Sequence, residues 1–144
     1  MKPKEFVSQI DEQRIMDAIA AAERRSSGEI RIFVSDNKIT NALVEAQAQF
    51  RKLNMEKTRE RNGVLLFFAP RTQQFAIVGD TGIHEKCGQP FWEEISALLS
   101  ARFKEGQFTE AVVAAVAKVG EVLARHFPRR PDDENELPNQ IVRG

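Results

Sequence analysis

The sequence predicts an α/β sandwich in which helices cover both faces of a small mixed sheet. Two apolar runs, "NGVLLFFA" at 62–69 and "FAIVG" at 75–79, flank the short turn "PRTQQ" and read as paired strands. A third segment, "EIRIFVS" at 29–35, alternates in the manner of a strand. Around these three stand segments whose apolar residues recur at helical spacing, enough to cover a sheet on both sides.

The first helix is expected over "IDEQRIMDAIAAAERRSSG", with Ile15, Ala18, Ile19 and Ala22 on one face, Asp11 as N-cap and Ile10 stapled against Ile15. Gly28 is expected to stop it. In the first strand Ile30, Ile32 and Val34 alternate with Glu29, Arg31 and Phe33. Thr40 is then expected to cap a second helix in which Leu43, Ala46, Phe50 and Leu53 share a face, the mixed charges of 51–61 forming its solvated side. Residues 63–69 and 74–79 make an antiparallel hairpin, the first of them a central strand. Pro90 opens a third helix carrying Phe91, Ile95, Leu98, Leu99 and Phe103. Gly106 breaks that helix, and "EAVVAAVAKVGEVLARHF" forms the last one, ended by Pro128. This gives one domain over 1–128 and a polar, acidic tail over 129–144.

With 144 residues the chain suffices for a single core. Its 21 basic and 21 acidic residues balance, so no overall field gathers nucleic acid or an anionic membrane. A single cysteine, Cys87, excludes an internal disulfide and a thiolate zinc site. The charged start "MKPKEFVSQIDEQ" lacks the apolar centre of a signal peptide, and no apolar run approaches the roughly 20 residues of a spanning helix. The expectation is a cytoplasmic protein without direct membrane insertion.

In α/β folds ligands sit where loops leave the carboxyl ends of strands. Two such ends are chemically loaded: "SDN" at 35–37 and "GDTGIHE" at 79–85. Converging, they would offer Asp36, Asp80 and Glu85 to a hard cation such as calcium, which takes about six to eight oxygens. The competing reading makes Asp36 and Asp80 turn and cap residues bonded to nearby amides. From spacing alone the turn-and-cap reading is the favoured one. "DTGIHE" lacks the ligand pattern of an EF-hand, and Gly82 is expected at positive φ in a tight turn before the third helix. A phosphoryl-transfer site would combine Asp80 with Arg71 or Lys86, but no glycine-rich phosphate loop accompanies them. His84 is the histidine placed for general-base or soft-metal chemistry, whereas His126 complements a helix dipole. Cys87 is read as inert filler, and Phe91 and Trp92 as core anchors.

"KLNMEKTRERNGVLLFFAPRTQQFAIVGDTGIHEKCGQPFWEEI" strongly resembles the TPM domain. The matching pieces are Met55, Lys57, Thr58 and Arg61 to Leu65, then Gly79, Asp80, Gly82 and Ile83, then Trp92, and they agree in order. The tail from Asp132 to Ile141 is similar to the end of the short forms of that family. The resemblance implies a three-layer α/β/α sandwich with a small central mixed sheet.

For function the resemblance implies alternatives. Some relatives bind divalent cations, calcium included, through acidic loops at one end of the sheet. That places a metal, calcium first and magnesium second, on Asp80 in "GDTGI", then on Asp36 and Glu85, with Asp132, Asp133 and Glu136 reaching the same site if the tail folds back. A plant thylakoid-lumen member gives the family its phosphatase label, which implies a metal-assisted phosphomonoesterase with Asp80 as ligand or base. Members attached to membrane proteins imply a third role, an adaptor for an unidentified protein partner.

Overall fold

The computed structural model describes residues 1–129 and 141–144. In chain order the described elements are α1 (Pro3–Gln9), α2 (Glu12–Arg25), β1 (Glu29–Val34), α3 (Ala42–Lys52), β2 (Gly63–Ala69), β3 (Gln74–Gly79), α4 (Thr81–Lys104), α5 (Phe108–His126) and β4 (Ile141–Arg143). The sheet runs β3-β2-β1-β4. β1 is parallel to both β2 and β4, and β2 is antiparallel to β3. The hairpin falls where the apolar runs place it, with Val64 opposite Gly79 and Ala69 opposite Gln74.

Two cores sandwich the sheet. Ile30, Ile32 and Val34 of β1, with Val64, Leu66 and Phe68 of β2, face α1, α2, α4 and α5. Phe33, Leu65, Phe67 and Ala69 face α3 and the turn behind it. Every residue of β1 and β2 is buried: β2 carries apolar side chains on both faces, whereas one face of β1 holds Glu29 and Arg31 beside Phe33. The alternation in β1 therefore separates two interiors; it does not separate interior from solvent.

Several boundaries differ from expectation for local reasons. α1, a seven-residue helix opened by Pro3, was absent from the sequence reading; it buries Phe6. The cap of α3 is Asn41, whose side chain accepts from the Val44 amide at 3.2 Å, in place of Thr40. This moves the inner stripe to Ala42, Ala46 and Phe50, so Leu43 turns out, 51% exposed. Asn54 at φ 58° ends the helical path beyond Lys52, and the charged stretch then dips inward to bury Met55 and Thr58. Ser26, in extended conformation, closes α2 before Gly28 is reached. α4 begins at Thr81, well before Pro90, and bends where Gly88 adopts φ 75°; Pro90 stands at the start of the part beyond that kink. β4, inside the segment assigned to a tail, pairs Ile141 with Ile32 and Arg143 with Val34.

Candidate functional site

The register fixes where the chemistry lies. β1 and β2 run from an amino rim, at Glu29 and Gly63, to a carboxyl rim, at Val34 and Phe68. β3 runs the other way, so its carboxyl end returns to the amino rim, where the Asp80 amide donates to Gly63 O at 3.0 Å. Asp36, after β1, stands at the carboxyl rim. The two acidic loops are separated by the length of the strands, roughly 20 Å for six residues, and the shared Asp36–Asp80 site expected from the sequence does not form. The antiparallel hairpin itself forbids it.

At the carboxyl rim Asp36 is exposed and tied into the chain end. Its Oδ1 accepts from Arg143 Nε at 2.9 Å, its amide donates to Gly144 O at 2.7 Å, and its carbonyl accepts from Arg71 Nε at 2.7 Å. Arg71 is thereby at the opposite end of the sheet from Asp80, which dissolves that imagined phosphate pairing.

Asp80 at the amino rim is 5% exposed and caps α4. Its Oδ1 accepts from the Thr81 amide at 2.7 Å and from Arg61 Nη2 at 2.9 Å, and its Oδ2 accepts from Arg61 Nε at 2.8 Å. The planar guanidinium thus meets the carboxylate with two parallel hydrogen bonds, and these hold the arginine's proton more tightly than usual. Arg61 is held from a second side. Its backbone adopts φ 53°, a left-handed conformation uncommon for arginine, and its carbonyl accepts from the Gly82 amide at 2.8 Å. Gly82 is helical here, not at positive φ. Its role is close approach, since a Cβ would lie 2.1 Å from Glu60 O and 2.6 Å from Arg61 O.

The loop carrying Arg61 is stitched to the end of α2. Asn62 Nδ2 donates to Ser27 Oγ at 3.0 Å, Ser27 Oγ donates to Glu60 Oε2 at 3.0 Å, and the Asn62 amide donates to Thr58 Oγ1 at 3.2 Å. Among the described residues, two acceptors in this loop, Asn62 Oδ1 and Glu56 Oε2, are buried without a donor. Glu56 lies near enough to Arg61 to contribute to its field.

Sequence reasoning missed a second acidic feature on the same rim. Glu23 of α2 and Glu29 of β1 are 3% and 1% exposed. Glu23 Oε2 accepts from the Ile30 amide at 3.3 Å, on the edge of β1 that β4 leaves uncovered at this end. Burial, together with a hydrogen bond and repulsion from Glu29, pushes the Glu23 carboxyl up to about 8. The pair therefore shares a proton at neutral pH, which turns one carboxyl into a donor for the other. Arg31, two residues along β1, is also buried, and desolvation lowers its pKa. The visible signal was a Glu and an Arg inside a strand whose neighbours are all apolar.

The remaining candidates are dispersed. Glu85 is exposed in the early part of α4. His84 is exposed, and its Nδ1 accepts from Trp92 Nε1 at 2.9 Å, which leaves Nε2 to carry the ring proton. Burial raises the Cys87 thiol, away from thiolate chemistry. Asp132, Asp133 and Glu136 lie outside the described residues. Among the described residues no three His, Cys, Asp or Glu side chains gather around one point, and no helix is long and apolar enough to cross a membrane.

No curated protein matches the chain. It is similar to BA42, a protein of the psychrophilic bacterium Bizionia argentinensis known from an NMR structure, at 37% identity and a TM-score of 0.84, with 92% of each chain covered. The TPM domain model matches residues 1–122, which takes in α1 to α4, most of α5, the hairpin and the Arg61–Asp80 clamp. By that match the chain belongs to the TPM domain family.

Proposed function

We propose that this TPM domain is a divalent-cation-binding module, calcium being the first candidate and magnesium the second, with its site on the amino rim around Asp80. The observation that carries the reading is the pair of buried acceptors without a donor, Asn62 Oδ1 and Glu56 Oε2, in the loop that clamps Asp80. Desolvated oxygens of this kind favour a cationic guest, and a hard cation uses such amide and carboxylate oxygens. Asp80 and Glu56, with the amide oxygen of Asn62, would hold it; Glu85 does not gather with them, and Asp36 is excluded by distance.

Arg61 stands where a counter-ion to Asp80 belongs. Its side chain is 49% exposed, so it can swing into solvent and cede the carboxylate to a metal ion. Cation binding is thus an exchange of one positive group for another. Phosphomonoester hydrolysis, which the family label raises, would need a base or nucleophile in addition to the carboxylate that holds the metal. Exposed Leu43 and Val44 are too small a patch to carry the adaptor reading.

The test is a calcium titration of chelator-treated protein followed by backbone-amide NMR, with magnesium in parallel, on wild type, Asp80→Asn and Arg61→Met. The reading expects saturable shifts at residues 56–62 and 80–85, weakened in Asp80→Asn and tightened in Arg61→Met. Shifts centred on residues 35–37, or none at millimolar calcium and magnesium, would overturn it.

A further inference from the structure

Five phenylalanines from five different elements stand around one void at the carboxyl rim: Phe6 of α1, Phe68 of β2, Phe75 of β3, Phe103 of α4 and Phe108 of α5. Phe103 is the hub, its ring centroid 5.7 Å from those of Phe68 and Phe75, 5.5 Å from Phe108 and 6.2 Å from Phe6. Phe6 and Phe68 are buried, and the other three rings are half-buried. They line a half-open pocket of about 320 Å³. That volume holds roughly ten waters by liquid volume. Aromatic walls offer such water few partners, so an apolar guest is favoured over solvent.

The mouth adds a charge. Lys104, at the end of α4, lines the opening with Ser100 and Gln73. Among the described residues no carboxylate pairs with Lys104. The neighbouring Gln74 amide is engaged elsewhere, accepting from the Ala42 amide and donating to Ile39 O. The pocket thus joins an apolar interior to a lysine that no described carboxylate neutralises, with Met1 also at its wall, beyond the carboxyl end of β2 where α/β folds place ligands.

We propose that this cavity binds a small apolar monocarboxylate of the arylalkanoate class, its ring among the phenylalanines and its carboxylate at Lys104. Edge and tilted contacts around Phe103 leave ring faces and edges for an incoming aromatic group. The site is independent of the cation reading, because it lies at the other end of the sheet and calls on no acidic residue.

The test uses 3-phenylpropionate as probe and 3-phenylpropan-1-ol as its neutral counterpart, titrated in chelator and followed by backbone-amide NMR. The proposal expects saturable shifts at residues 73–76, 100–104 and 108, with the alcohol about three- to fivefold weaker, the worth of one exposed ion pair. Lys104→Gln should bring acid and alcohol to equal affinity. Ser100→Leu, which fills the mouth, should abolish both titrations in a protein whose amide spectrum elsewhere is unchanged. No saturable shift with either probe overturns the proposal. So does acid binding that equals the alcohol's in wild type, or binding that survives Ser100→Leu.

Discussion

The amino and carboxyl rims close the same two central strands in opposite ways. At the amino rim the loop after α3 is fixed by directional bonds: the Arg61 fork on Asp80, the Asn62–Ser27–Glu60 chain and the carboxyl pair of Glu23 and Glu29. At the carboxyl rim five phenylalanines from three helices and two strands stand around a pocket in whose lining Lys104 is the one charged side chain. Directional bonds between desolvated groups give an arrangement that a change of charge can switch. Aromatic packing gives one that responds to volume and ignores pH. The comparison teaches that a cation suits the first rim, and a largely apolar guest, its charge met only at the mouth by Lys104, suits the second.

Removing Phe68 attacks the carboxyl rim hardest. This ring is 2% exposed, and Phe68→Ala should cost about 3–5 kcal/mol of unfolding free energy, with a urea midpoint displaced equally at acid and neutral pH. At the amino rim Gly82→Ala should cost about 1–3 kcal/mol, because a methyl group there collides with the Glu60 and Arg61 carbonyls and the clamp loop must move. Amide exchange in residues 58–62 should accelerate in that variant while the phenylalanine cluster stays protected. Uniform acceleration would show that the rims are not independent.

The carboxyl pair gives the comparison a pH dependence. Glu23 keeps its proton in the fold up to about pH 8, whereas its ordinary value is 4.5. Between those values the folded state binds more protons than the unfolded state, so stability falls as pH rises, and the contribution is complete only below 4.5. Glu29 and Arg129 are the charged groups that set this value along with burial. Glu23→Gln keeps a donor for Glu29 and removes the titration, so its urea midpoint should lose most of the decline that wild type shows across this window. An equal decline in the variant would place the proton elsewhere. The smallest effect belongs to Arg143→Ala, which breaks a half-exposed ion pair with Asp36 and should cost less than about 1 kcal/mol, an effect that added salt erases.

The parts of the fold legible in the sequence were those written in short-range pattern. The hairpin followed from two apolar runs and a turn, the cap at Asp11 from a residue that does accept the Arg14 amide, and the helix break from Gly106 at φ 73°. α1 and β4 were missed because seven and three residues carry too little periodicity to register; both exist through tertiary contacts, Phe6 in the main core and Ile141 beside Ile32. In the site, Asp80 was found as a charged residue at a strand end. Its partner was not, because Arg61 reaches it only by crossing from another loop in a left-handed conformation. The Glu23–Glu29 pair was likewise invisible, since residues from a helix and a strand meet there through the fold alone. The supposed meeting of Asp36 with Asp80 failed on topology already implied by the hairpin.

The central claim is that Asp80 exchanges Arg61 for a divalent cation. Calorimetric titration of calcium into chelator-treated wild type, Arg61→Met and Asp80→Asn tests it most directly. The account predicts tighter binding in Arg61→Met, where the competing guanidinium is gone, and loss of most affinity in Asp80→Asn. Equal affinity in all three proteins would contradict it and move any cation site away from the amino rim.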